Sequence, residues 1–215
     1  MGLTPGYGET PLEGDELESL NPEVLRNLGE SFTKSAIYDL EIYDLETALY
    51  SEARERLLSE IDHEKLTVPD LLTPSFLIEL HTMLFEGIWK WAGKFRKTVL
   101  NIGVEPSHIS SEIFMACGNL NYRWEEALVT SPHDLGICTH AEFVRIHPFV
   151  DGNGRVTRLL ADLVFAAGQS LPHTLEYDWS IDKRTYIQLL RTFDLNRDPQ
   201  PLCDFIPSRA CAGDR

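Results

Sequence analysis

Apolar residues recur at helical spacing along most of the chain. In the stretch 33–61, steps of three and four between apolar positions predict one long amphipathic helix. The segment "TVPDLLTPS" breaks the pattern, and either Thr73 or Ser75, with Pro74 in the first turn, can begin the next helix, "FLIELHTMLFEGIWKW". Further helices are predicted over 111–128, 131–146, 154–168 (ending at its terminal glycine), 178–195 and 199–206.

One segment, "AGKFRKTVLNIGVEPSHIS" at 92–110, departs from helical spacing. Gly93 and Gly103 bracket β-branched residues, which predicts a β-hairpin or an extended flap. The predicted fold class is therefore all-α, with a helical core and one small β-hairpin. The chain divides into an extended acidic arm, an N-terminal amphipathic helix, a helical domain and a C-terminal tail, over 1–30, 31–68, 69–206 and 207–215.

The charge is strongly negative and unevenly distributed. The formal net charge is −15, and residues 1–62 contain 15 acidic and 4 basic side chains. An acidic surface argues against nucleic-acid binding, which needs a basic face. Solvated helix faces explain this composition best, and a surface for a basic partner is the alternative.

Sequence features that would send the chain into or across a membrane are missing. No run of eighteen apolar residues occurs, so we expect no membrane span. The first residues, "MGLTPGYGE", lack the basic and apolar parts of a signal peptide. The four cysteines form no C-x-x-C pair and no zinc spacing, which favours reduced thiols. These features predict a soluble cytoplasmic protein.

Polar chemistry is concentrated in "IHPFVDGNGRVTRLL", at 146–160. The two glycines of "DGNG" allow positive φ or close backbone approach, and a helix follows at once. The N-terminus of such a helix binds anions through its amides and its dipole. Arg155 and Arg158 lie three positions apart, so both can face the same side and hold a polyphosphate.

The same stretch also contains an acid and a histidine. Asp151 beside phosphates is explained if it binds Mg²⁺, and His147 can accept a proton near neutral pH. Each feature alone is ordinary, because DG pairs mark turns and most arginines lie on the surface. Their joint occurrence within twelve residues predicts a phosphate-transfer site.

The stretch "HPFVDGNGRVTR" resembles the signature of Fic-domain proteins, H-P-F-x-[D/E]-G-N-G-R-x-x-R, at every specified position. The preceding "LFEGIWKWAGKFR", at 84–96, is similar to the segment that leads into the family's flap. The resemblance covers about 70–200, and residues 1–62 resemble the N-terminal region of a Fic subgroup found on mobile elements. It implies a Fic-type helical core and AMP transfer from ATP to a Tyr, Thr or Ser hydroxyl of a target protein.

The resemblance also implies a role for each motif position. It implies that His147 is the base and that Asp151 is an Mg²⁺ ligand. It implies an anion hole at Gly152, Asn153 and Gly154, in which Asn153 also contacts phosphate oxygens. Arg155 would hold the β-phosphate and Arg158 the γ-phosphate. Doc relatives, which phosphorylate, have Lys where this chain has Gly154, so Gly154 favours AMP transfer. Doc-like phosphorylation, deAMPylation and non-catalytic nucleotide sensing are the alternatives.

Two further expectations concern target docking and regulation. The family's flap pairs its main chain with a target segment, which implies docking at Lys94, Phe95, Arg96, Lys97, Thr98, Val99 and Ile102. Many Fic proteins are inhibited by a glutamate that pairs with the second arginine of the motif. Glu55 in "SEARER" has the spacing for this, and an antitoxin-like partner is the alternative. The apolar face of the 33–62 helix can pack on the core or form a dimer seam.

Overall fold

The computed structural model describes residues 19–24, 41–128 and 131–211. Helices dominate these residues, and one two-stranded antiparallel sheet accompanies them. The elements are α1 (Glu41–Asp62), α2 (Val68–Leu71), α3 (Pro74–Phe85), a 3-10 turn (Pro106–His108), α4 (Ile109–Glu125), α5 (Pro132–Ile146), α6 (Asn153–Gly168), β1 (Leu175–Tyr177), α7 (Lys183–Asn196), α8 (Gln200–Phe205) and β2 (Ser208–Ala210). In the described residues no helix is both long and apolar enough to cross a membrane.

Helices α5 and α6 form the centre of the fold and are joined by the loop 147–152. Most of α6 is buried, including residues on every side of the helix, so other elements surround it. One apolar cluster joins α6 to α1, α3 and α4, and a second joins α5 and α6 to α7 and α8. The loop between the two central helices is therefore held from both sides.

Side-chain caps set the starts of α3 and α5. The Thr73 hydroxyl accepts a hydrogen bond from the Phe76 amide at 3.1 Å, and the Ser131 hydroxyl accepts one from the Asp134 amide at 3.1 Å. A proline follows each cap in the first turn. The predicted starts of both helices are confirmed, as is the end of α6 at Gly168.

The N-terminal region packs onto the domain. Helix α1 contributes Ala53, Leu57 and Ile61 to the larger cluster. These apolar residues of α1 therefore pack on the core, which was one of the two predicted uses of this face. Residues 25–40, at the start of the predicted 31–68 segment, lie outside the described residues. Of the predicted arm 1–30, only 19–24 is described, and there Leu20 is buried and pairs with Trp89.

Of the two forms predicted for the flap, the β-hairpin is wrong. The flap, 94–104, forms no hairpin, because its backbone pairs with the loop instead: Phe95 bridges Phe149, and the Arg96 amide donates to the Pro148 carbonyl at 2.9 Å. The sheet lies elsewhere, where β2 pairs with β1. Strand β2 falls within the segment predicted as a tail, 207–215, so ordered structure continues past residue 206.

Candidate active site

The loop between α5 and α6 turns through two left-handed residues. His147 has φ 51° and ends α5, and Gly152 has φ 76° and precedes α6. Between them, the Asn153 amide holds Phe149 by two hydrogen bonds of 2.9 Å, accepting from its N–H and donating to its carbonyl. A Cβ on Gly152 would lie 2.5 Å from the Phe85 ring, so only glycine fits there. The Asn153 hydrogen bonds within the loop and the close approach of Phe85 from α3 together set the shape of the loop.

A cleft of about 500 Å³ opens beside this loop. All seven predicted motif residues, from His147 to Arg158, line it, so the structure brings them together. Further lining residues come from the flap, from α5 and from the region of α7, and these are Ile102, Val144, Trp179, Ile181, Lys183, Tyr186, Ile187 and Leu190. The cleft thus combines a polar wall with a largely apolar one.

His147 is 5% exposed and lies where α5 ends. Burial, and after it the positive charge of Arg96, lower its pKa to about 4, although an interaction with the Val144 backbone opposes this shift. Its Nδ1 atom is buried and has no hydrogen-bond partner among the described residues. The imidazole is therefore neutral at pH 7, so one of its ring nitrogens can accept a proton.

Asp151 presents a carboxylate to the cleft. Its side chain is 41% exposed; Oδ1 accepts the Gly152 N–H at 2.7 Å, and Oδ2 lies 4.0 Å from Arg155. Within the described part of the chain, no group of three His, Cys, Asp or Glu residues is arranged to hold a metal. A single carboxylate suits Mg²⁺, which keeps several waters and takes its other ligands from substrate phosphates.

The two motif arginines have different surroundings. Arg155 donates to the Glu46 carboxylate of α1, and its guanidinium lies 4.7 Å from the centre of the Phe85 ring. Arg158 is half-buried and has no ion pair or hydrogen bond in the described structure. The first helical turn of α6 and the Arg158 guanidinium therefore face the cleft together, and an anion is favoured there.

Glu46 is a site residue that the sequence analysis missed. It is 13% exposed, and besides Arg155 it accepts a 2.7 Å hydrogen bond from the Trp89 indole. Glu55, the predicted inhibitory residue, is instead exposed and lines a separate groove that does not include Arg158. Both acids lie on α1, and nothing in the local sequence shows which one faces the site.

The flap residues divide into two groups. Lys94, Lys97, Thr98 and Val99 are exposed, and Ile102 is half-buried and lines the cleft; docking of a target at these positions stays a prediction. Phe95 and Arg96 turn inward instead, since Phe95 packs on the Phe149 ring and Arg96 is 2% exposed. Docking of a target along the main chain at Phe95 and Arg96 also stays a prediction, and the Arg96 guanidinium itself donates hydrogen bonds to buried backbone carbonyls.

His81 of α3 is a second residue that was missed. It is fully buried and stacks on the Phe149 ring at a centroid distance of 3.6 Å. Its Nδ1 accepts the Gly93 N–H at 2.8 Å, so Nε2 carries the proton and donates to the Asp151 carbonyl at 3.2 Å. Burial lowers its pKa to about 4, which keeps this tautomer neutral. One side chain thus connects the base of the flap to the loop 147–152.

Two buried titratable side chains, Asp162 and His140, lie close enough to Arg158 for its charge to act on them. Burial raises the pKa of Asp162 to about 7, while a 3.0 Å hydrogen bond from the Trp179 indole opposes the rise. Burial also lowers the pKa of His140 to about 3, and this imidazole pairs with the Tyr186 hydroxyl at 2.5 Å. Asp162 and His140 therefore hold Trp179 and Tyr186, two residues that line the cleft.

Comparisons with known proteins show which sequences and folds this chain resembles. Residues 71–165 match the model of the Fic/DOC family. This match covers 95 of the 215 residues, so the chain contains a region similar to the Fic/DOC domain. Protein adenylyltransferase fic-1 of Caenorhabditis elegans is 31% identical over 113 residues, and a Fido domain-containing protein of Dictyostelium discoideum is 42% identical over 66 residues.

Solved structures show the same fold at lower sequence identity. A Fic domain containing signaling protein of Bacteroides thetaiotaomicron has a TM-score of 0.58 and 20% identity, over 89% of this chain and 84% of that one. The BepC protein of Bartonella tribocorum, with bound AMPPNP, has a TM-score of 0.51 and 18% identity, over 76% and 88% of the two chains. The aligned region spans half of this chain but about a fifth of the C. elegans protein. The likeness of residues 1–62 to a mobile-element subgroup stays a prediction.

Proposed function

We propose that this Fic domain transfers AMP from ATP to a hydroxyl group of a target protein. The observation that carries the proposal is a neutral, buried His147 beside a cleft lined by the first turn of α6, Arg155 and Arg158. The C. elegans relative, named a protein adenylyltransferase, supports this activity over the aligned 113 residues.

The two walls of the cleft suit the two ends of a nucleotide. The triphosphate would lie at the polar wall, against the start of α6 and the motif arginines. The adenine would lie against Trp179, Ile181 and Ile187, where an aromatic ring and aliphatic side chains offer a stacking surface. A mixed cleft of about 500 Å³ is within the usual range for a small-molecule site.

The reaction follows from this placement. The target hydroxyl attacks the α-phosphorus, the bond from that phosphorus to its bridging oxygen breaks, and pyrophosphate leaves. His147 accepts the hydroxyl proton on one of its ring nitrogens, while Arg155 and Arg158 offset the charge that develops on the phosphate oxygens. Asp151 would hold Mg²⁺, which would neutralise phosphate charge when bound. Gly154 leaves space for phosphates, since a Cβ there would meet only the Arg158 guanidinium, at 3.4 Å.

We further propose that Glu46 inhibits the reaction within the chain. Its carboxylate pairs with Arg155, the residue assigned to the β-phosphate, so ATP has to displace it. A carboxylate so close to the phosphate site also repels the triphosphate. An antitoxin-like partner, a homo-oligomer and a cytoplasmic location stay predictions beside this proposal.

Labelled ATP tests the transfer reaction. The purified chain is incubated with a cell lysate, Mg²⁺ and ATP labelled at the α- or the γ-phosphate, with His147→Ala in parallel. We expect protein labelling from the α-position that disappears in the variant. Labelling from the γ-position alone would show Doc-like phosphorylation instead. Tight ATP binding without any transfer, also by Glu46→Gln, would indicate a nucleotide-sensing module.

A further inference from the structure

Arg96 is a buried guanidinium whose hydrogen bonds all go to backbone carbonyls. Its Nε donates to His147 O at 2.7 Å, and its Nη1 donates to Thr98 O at 2.9 Å. Its Nη2 donates to Val104 O and lies 3.5 Å from Ile146 O. No carboxylate forms an ion pair with Arg96 within the described structure. Four of its five donors are therefore satisfied by neutral groups.

These carbonyls belong to two different parts of the molecule. Ile146 and His147 are at the C-terminus of α5, where carbonyls have no partner inside the helix. A cation is favoured at this end of the helix dipole. Thr98 and Val104 lie on the flap, about 50 positions earlier in the chain. Arg96 thus caps α5 and fastens the flap to that cap.

The flap also packs against the turn that carries His147. Gly103 has φ +92°, and a Cβ there would lie 2.7 Å from the Cβ of His147 and 2.6 Å from Nη2 of Arg96. Next to it, the Val104 amide donates to the Ile146 carbonyl at 3.2 Å. The same contacts therefore position both the flap beside the cleft and the turn at His147.

We propose that Arg96 is a positioning residue that acts through His147. Its guanidinium fixes the left-handed turn that directs the imidazole into the cleft, and holds the flap in register above it. The kinetic part of this inference rests on the proposed AMP transfer, but the structural part does not. The planar fork is essential, because a lysine ammonium cannot reach both helix-end carbonyls and both flap carbonyls.

The positive charge of Arg96 also acts on the histidine, since it adds to burial in lowering the pKa of His147. Other charged groups share the cleft with that imidazole. They are Asp151, Arg155, Arg158 and Lys183, and Glu105 acts on Arg96 from the far end of the flap. Replacing Arg96 by an uncharged residue should therefore raise the pKa of His147 from about 4 toward its ordinary value.

The test compares Arg96→Met and Arg96→Lys with Arg145→Met and Arg145→Lys. Arg145 is a matched control, because it also lies in the last turn of α5 but pairs with Glu112 and Glu142, away from the flap. Nitrogen NMR of the imidazoles, with His147→Ala for assignment, follows the titration of His147 without nucleotide. Steady-state AMP transfer gives kcat and the KM for ATP.

We expect Arg96→Met to raise the pKa of His147, and Arg145→Met to leave it unchanged. Arg96→Lys, which keeps the charge, should leave that pKa low, shift the His147 signals and lower kcat about tenfold with little change in the KM for ATP. The inference is overturned if the Arg145 variants show the same losses, or if Arg96→Lys leaves the signals and kcat unchanged. If AMP transfer itself is absent, the NMR comparison still decides the structural part.

Discussion

Some residues of the loop 147–152 and of the start of α6 hold the shape of the loop, and others face the cleft. The side chain of Asn153 has both ends committed to Phe149, so its contribution to phosphate binding falls to its backbone and to the remaining N–H. The sequence predicted that this residue belongs to the site but not how its amide is used. That assignment depends on where Phe149 lies, and His81 fixes the Phe149 ring from another helix.

The two glycines of the motif give a residue-scale prediction. Gly152→Ala should lower the free energy of unfolding by about 2 kcal/mol or more, because it combines a left-handed φ with a 2.5 Å approach to Phe85. Gly154→Ala is the control, since its Cβ meets only Arg158, and it should change stability by no more than about 1 kcal/mol. Urea unfolding of both variants measures this. Equal losses at both positions would contradict the proposed role of Gly152.

At the scale of elements, the helices were predicted well, whereas the hydrogen-bond partner of the flap was not predicted. Caps and apolar spacing are local signals, and so Thr73 and Ser131 identified two helix starts correctly. The backbone of the flap pairs with Pro148 and Phe149, about 50 positions away, and the Arg96 guanidinium donates a hydrogen bond to the His147 carbonyl. A pattern of β-branched residues shows that a segment is extended but does not show its hydrogen-bond partner.

Helix α1 gives the prediction for this scale. Glu46→Gln keeps an acceptor for Trp89 but removes the charge that pairs with Arg155, so we expect tighter ATP binding and about tenfold faster AMP transfer. Glu55→Gln, an exposed acid on the same helix, should behave like wild type. Calorimetric titration with ATP and Mg²⁺ gives the affinities. A stronger effect of Glu55→Gln than of Glu46→Gln would contradict the Glu46 proposal and support inhibition by Glu55.

For the whole molecule, buried histidines are a shared feature of the core around the site. Burial lowers the pKa values of His81 and His147 to about 4 and that of His140 to about 3. In the unfolded chain these groups titrate near 6.5, so between about pH 6.5 and 4 the unfolded state binds more protons. Asp162 acts in the opposite direction, because its pKa is raised to about 7 and it is protonated more readily in the folded state.

This balance predicts the pH dependence of stability. With three histidines against one aspartate, the free energy of unfolding should fall by several kcal/mol as the pH drops from 6.5 to 4. Asp162→Asn removes the opposing contribution, so its loss over the same window should be larger than that of wild type. Urea unfolding at half-unit steps of pH measures both proteins. A wild-type stability that rises toward pH 4 would contradict the burial of these histidines.

Mass spectrometry of modified proteins tests AMP transfer most directly. A lysate is treated with the Glu46→Gln protein, Mg²⁺ and an equal mixture of ordinary ATP and ATP with a heavy-isotope adenine. An AMP-modified peptide then appears as a pair of signals, whereas a phosphopeptide appears as one. We predict paired signals on Tyr, Thr or Ser that vanish when His147→Ala is added to the same protein. An increase in unpaired phosphopeptides alone, or pairs that persist without His147, would contradict the account.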